Sequence, residues 1–135
     1  MGDISLYKRA VGDYKLGRKA LEDAYTDDVM CDLSGYLLQQ TVEKLLKFQI
    51  ELQGDDFPFT HKIPQLLDKV KGPVPAWIVD NREKLTSFEA LTRYSSVKVA
   101  SVTDLRIWYD QIEEYIAQLS PDVEGSSNFP YEPKI

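Results

Sequence analysis

From Ile4 to Tyr25 apolar residues recur at intervals of three and four: Tyr7, Ala10, Val11, Tyr14, Leu21, Ala24 and Tyr25. That spacing lays one apolar stripe along a helix. Lys8, Arg9, Lys15, Arg18, Lys19, Glu22 and Asp23 fill the other faces. Gly12 and Gly17 lie inside it, each costing about 1 kcal/mol relative to Ala. Asp27 and Asp28 read as a connection. The pattern then predicts a second helix over 33–53, with Asp32 as its N-cap and Gly54 as its closing glycine. Its apolar residues, among them Leu33, Leu37, Leu38, Val42, Leu45, Leu46, Phe48 and Ile50, wrap more than one stripe. A helix apolar over most of its circumference is a central one, touching neighbours on two sides.

Asp55 to Phe59 reads as a loop containing Pro58. Thr60 is placed to cap a short third helix carrying Ile63, Leu66, Leu67 and Val70, with Pro64 in its first turn, where a missing amide hydrogen does little harm. Lys71-Gly72-Pro73-Val74-Pro75 ends it. A fourth helix is expected over 76–94, presenting Trp77, Ile78, Leu85, Phe88 and Leu91. Ser101-x-x-Asp104 resembles a capping box ahead of a fifth, with Leu105, Trp108, Ile112, Tyr115, Ile116 and Leu119. From Ser120 the chain carries Pro121, Gly125, Pro130 and Pro133 and reads as a flexible tail. No period-two pattern marks a strand. The expected fold is all-α, a bundle of about five helices over residues 1–119 followed by a tail over 120–135.

With 135 residues, the chain suffices for one domain with its own core. The longest apolar run free of proline is Ala76–Val79, against the roughly 20 residues of a membrane span. The first thirty residues hold no continuous apolar stretch, so no signal peptide is expected. Cys31 is the single cysteine, which excludes an internal disulfide framework and a cysteine-based zinc site. Together these predict a cytoplasmic protein without a membrane partner. Lys and Arg total 16 against 22 Asp and Glu, a net charge of −6. Non-specific binding of double-stranded DNA rests on cationic surface, so that partner class is not expected, although a small basic pocket is compatible with the total.

Candidate chemistry is sparse. There is no glycine-rich phosphate loop, His-Glu-x-x-His, Gly-x-Ser-x-Gly or Cys-x-x-Cys. No metal site or cofactor is predicted, and a di-iron bundle is excluded because it needs two Glu-x-x-His pairs and His61 is the only histidine. His61 offers an acid–base group or a phosphate donor; as a plain structural residue it would be a cap or a surface group. The second helix carries an unusual polar set: Gln39, Gln40, Glu43, Lys44 and Lys47. Glu43 and Lys47 stand four apart and can pair. The set reads either as a solvated strip or as a polar seam facing a cleft or a second copy, since polar groups on a central helix need partners. Arg93 offers a forked grip on phosphate and Tyr94 a ring to stack on a base; alternatively Arg93 pairs with Glu89 on its own helix.

Three of these stretches occur together in one family. Gln39-Gln40-Thr41-Val42-Glu43-Lys44-Leu45-Leu46-Lys47 resembles the QQ-x-x-EK-x-LK stretch on the second helix of HEPN domains. Thr60-His61-Lys62-Ile63 with Leu66-Leu67 is similar to their T-H-x-I/L-x-x-L-L segment. Thr92-Arg93-Tyr94 resembles the T-R-Y-P that closes their fourth helix, with Ser95 in place of proline. The resemblance spans about 5–119, in the family's order. It implies an up-and-down bundle that dimerises and handles a nucleotide or RNA, often beside a nucleotidyltransferase in a toxin–antitoxin-like module. Many family members are metal-independent ribonucleases bearing Arg-x4–6-His. This chain has none: the positions that would precede His61 are Gly54, Asp55 and Asp56. The resemblance therefore implies no catalytic residue here. It implies a binding set of Lys44, Lys47, His61, Arg93 and Tyr94, a seam or dimer interface of Gln39, Gln40 and Glu43, and a homodimer with a nucleotidyltransferase partner. The alternatives are a divergent ribonuclease and a purely structural dimeric adaptor.

Overall fold

A computed structural model of the chain describes residues 4–94 and 101–124, with side chains for 4–88 and 101–123. Six helices are described: α1 (Ser5–Asp23), α2 (Asp28–Leu52), α3 (Ile63–Leu67), α4 (Ala76–Asp80), α5 (Arg82–Tyr94) and α6 (Val102–Glu124). No strand occurs among the described residues, as the periodicity requires.

The boundaries depart from the sequence reading in five places: α3 ends at Leu67, so Val70 follows it and does not lie on it, and the other four have local reasons. Helix α2 starts before the expected Leu33, because Asp27 and not Asp32 is its cap. Asp27 has the extended backbone a cap requires, and its carboxylate accepts from the amides of Val29 and Met30 at 3.0 and 3.4 Å. Thr60 does not cap α3 directly. Its hydroxyl accepts from the Lys62 amide at 3.0 Å, while the Ile63 amide donates to Thr86 Oγ1 of α5 at 2.9 Å. The expected fourth helix is two helices, parted at Asn81, which leaves helical backbone geometry (φ −114°, ψ 20°) and donates to Trp77 O through both its backbone amide at 3.1 Å and its side-chain amide at 2.7 Å. Finally, α6 continues past Ser120 through Pro121 to Glu124. Val123 is fully buried, and its burial favours the extra turn over an earlier stop. The rest of the expected tail, residues 125–135, lies outside the described residues. At the start of α6 the Ser101 hydroxyl accepts from the Asp104 amide at 3.0 Å, one half of the expected box.

Helix α2 is the spine, packed on α1, α3, α5 and α6. Its apolar circumference is thus covered within the chain and by itself calls for no second copy. The tightest junction joins α1, α2 and α6. Tyr109 Oη donates to Ser34 O at 2.6 Å, and Ser34 Oγ donates to Gly17 O at 3.0 Å. A β-carbon at Gly17 would lie 1.9 Å from Tyr109 Oη, so glycine is what permits the approach. Burial pushes the Tyr109 phenol well up and keeps it a neutral donor. Cys31 is buried in the core. Tyr25, expected on the apolar face of α1, is exposed and accepts a hydrogen bond from Arg106.

Candidate functional site

The polar set of α2 is neither a solvated strip nor an open seam. Gln39 is fully buried and Glu43 nearly so. Every group in the set has a partner inside the chain.

Glu43 is the hub. Its Oε1 accepts from Gln39 Nε2 at 2.9 Å and its Oε2 from Lys47 Nζ at 2.8 Å. The imidazole of His61 lies across both oxygens, with Nδ1 3.1 Å from Oε1 and 3.2 Å from Oε2. Burial raises the Glu43 carboxyl, but the hydrogen bonds from Lys47, His61 and Gln39 outweigh it and hold the group below its ordinary range. Glu43 is therefore a carboxylate near neutral pH. A carboxylate only accepts, so Nδ1 of His61 carries a proton and donates.

A second tier lies on the same helix, toward α1. Lys44 Nζ donates to Asp13 Oδ2 at 2.6 Å and to Gln40 Oε1 at 3.1 Å, and Gln40 donates in turn to Gln39 Oε1 at 2.7 Å. Each lysine charge is thus balanced by a carboxylate. Lys47 is further confined by Phe57, its ammonium 5.2 Å from the ring centroid.

His61 is held from three directions. Gln39 Nε2 approaches its carbonyl at 3.4 Å, the Thr60 hydroxyl and Thr86 fix the backbone just beyond it, and Glu43 fixes its ring. Yet its side chain is 63% exposed. With Nδ1 committed inward, Nε2 faces outward with no hydrogen-bond partner among the described residues. A ring so fixed can act in two ways. Protonated, it presents a charge-assisted donor to an anion. Neutral, it presents a lone pair, the requirement for general-base work.

The structure therefore brings Gln39, Gln40, Glu43, Lys44, Lys47 and His61 into one connected network. Arg93 and Tyr94 lie on the last turn of α5; their side chains, and that of Glu89, are outside the described residues. Sequence reasoning placed Glu43 and His61 in different sets and did not register their contact. It also passed over Asp13, Thr86, Phe57 and Phe59. Only the aromatic pair left a signal, in Phe57-Pro58-Phe59 directly before Thr60-His61. No group of His, Cys, Asp and Glu suited to a metal occurs among the described residues, and none of the described helices is long and apolar enough to cross a membrane.

Comparison with known families gives a match to the HEPN domain over residues 5–120, most of the chain. No curated protein and no solved structure matched.

Proposed function

Because this chain belongs to the HEPN domain family, we propose that it binds a nucleotide or RNA through a phosphate at His61 and holds it without cutting it. The observation that carries the reading is the Glu43–His61 pair: a buried carboxylate orienting an exposed imidazole, with the second ring nitrogen turned to solvent. A phosphate oxygen arriving at Nε2 meets a proton there once the ring is an imidazolium, while Glu43 holds the ring by Nδ1. Lys44 and Lys47 act at one remove. Their charges are spent on Asp13 and Glu43, so they position the network and do not grip the ligand alone.

Arg93 is the second phosphate contact in this reading, and Tyr94 its neighbour on α5. A homodimer and a nucleotidyltransferase partner in a toxin–antitoxin-like module belong to the same proposal; they are supported by the resemblance of the three motifs. Cleavage is left out because Arg-x4–6-His is missing and a single histidine must serve as both acid and base.

The test is thermal unfolding with ATP, a short single-stranded RNA and inorganic tripolyphosphate. A ligand at about 100 times its Kd stabilises the native state by about 2.7 kcal/mol. The melting temperature should rise by several degrees in the wild type and not in His61→Ala. Indifference of the wild type to all three ligands would refute the proposal. One observation favours a second reading: the same pair has the geometry of a general base. RNA cleavage by the wild type, lost in His61→Ala, would replace holding by hydrolysis.

A further inference from the structure

The segment that delivers His61 also displays an unusual side chain. Phe59 is 101% exposed, more than any other large apolar residue described. A phenylalanine ring left wholly in water loses its burial energy for nothing within the fold. It is not on a frayed stretch. The Thr60 amide donates to Pro58 O at 3.0 Å, the Lys62 amide to Thr60 Oγ1 at 3.0 Å, and His61 is anchored on Glu43. Phe57 stands edge-on to Phe59 with ring centroids 6.4 Å apart and is itself capped by the Lys47 ammonium. The chain thus holds a half-buried aromatic against a fully exposed one, two residues ahead of an exposed imidazole.

We infer that Phe59 is a stacking platform for an unpaired nucleobase, whose own or adjacent phosphate meets His61. This deepens the proposal above and rests on it. Two residues of extended chain span at most about 7 Å, a distance that a single nucleotide bridges between its ring and its phosphate. Aromatic stacking is open to every base because every base has a π-face, and it requires the base to be out of a duplex. The surroundings suit such a ligand. His61 and Lys62, both exposed, follow the ring and are donors when protonated, while the exposed carboxylates Asp55 and Asp56 precede it in the chain.

The experiment compares a fluorescently labelled ten-nucleotide single strand with tripolyphosphate, which has charge and no base. Phe59→Ala should weaken the single strand about 5- to 150-fold, the range for loss of one base stack, and leave tripolyphosphate binding unchanged. Phe59→Tyr, which keeps the ring, should bind like the wild type. A double-stranded form of the same oligonucleotide should show no dependence on Phe59. His61→Ala should weaken the single strand and tripolyphosphate alike. Equal single-strand affinity for wild type and Phe59→Ala would overturn the platform while leaving phosphate binding intact. Absence of binding of both ligands to the wild type would overturn both. A change in oligomeric mass on Phe59→Ala, seen by light scattering, would assign the ring to a protein contact and also overturn the inference. Phe59 is outside the core, so unchanged thermal unfolding of the variants serves as the folding control.

Discussion

Replacing Glu43 by Gln attacks the network at its hub. The side chain keeps its shape but loses its charge and one of its two acceptor oxygens. In the wild type those oxygens accept from Gln39, from Lys47 and from His61 at 2.8–3.2 Å. The amide retains one acceptor and turns an N–H₂ toward a lysine ammonium or an imidazole N–H. Two charge-assisted hydrogen bonds are weakened or lost, at about 1.5–3 kcal/mol each. Lys47 recovers part of this by extending to water, since its side chain is already 12% exposed. The expected net loss is about 2–4 kcal/mol, close to the 3–5 kcal/mol typical for removing one member of a buried pair. In a domain of this size that lowers the melting temperature by roughly 10 °C. Urea unfolding followed by circular dichroism should show a lower midpoint with an unchanged slope. Adding Lys47→Met should restore about 1 kcal/mol or more relative to additivity, because the unpaired ammonium is then gone. A loss under about 0.5 kcal/mol would refute the reasoning, since that is the yield of an ordinary exposed i,i+4 pair.

Four further outcomes are expected. Gly17→Ala should destabilise the fold by about 1–3 kcal/mol in urea, because the new methyl group meets the buried Tyr109 hydroxyl at 1.9 Å and Leu37 Cβ at 3.0 Å. Stability measured against pH should be flat above the ordinary Glu range near 4.3 and decline below it, because Glu43 titrates lower when folded than unfolded and its contribution is lost as it protonates; the decline should be shallower in Glu43→Gln. Truncation after Ser120 should cost about 1.5–3 kcal/mol more than truncation after Glu124, through loss of buried Val123, as thermal unfolding would report. Arg93→Ala should lower nucleotide affinity tenfold or more by titration calorimetry, with Arg93→Lys recovering only part, since an ammonium lacks the guanidinium fork.

Much of the architecture was legible because helical periodicity is a local property. The stripe of Tyr7, Ala10, Val11 and Tyr14 is buried as the spacing requires, and the wrapped apolar pattern of α2 marks the helix that touches four others. The misplaced ends have local causes that a pattern does not rank. Asp27 and Asp32 are equally good caps on paper, and the choice falls to the one with extended backbone. Asn81 ends α4 by leaving helical geometry while its side-chain amide folds back onto Trp77 O, which apolar spacing cannot register. Val123 pulls α6 onward although Pro121 argues for a stop. The site was legible as ingredients but not as an arrangement. Glu43 and Lys47 share a helix, so their pairing follows from spacing. The contact of Glu43 with His61 joins residues 18 positions apart and depends on how the loop before α3 folds over α2. Lys44 was placed in the candidate binding set, and its pairing with Asp13 was not legible because Asp13 lies on a different helix. Phe59 went unweighted because exposure is a tertiary property that a lone aromatic in a loop does not reveal.

The claim that Glu43 orients His61 for a phosphate can be read directly from the ring itself. His61 is the chain's only histidine, so nitrogen-15 NMR of the imidazole needs no assignment. Without ligand the neutral ring should carry its proton on Nδ1, with Nε2 showing the lone-pair signature. Addition of ATP or tripolyphosphate at constant pH should move Nε2 to the protonated signature and leave Nδ1 protonated. A ring protonated on Nε2 and bare on Nδ1, or one whose two nitrogens do not respond to either ligand at saturating concentration, would contradict it.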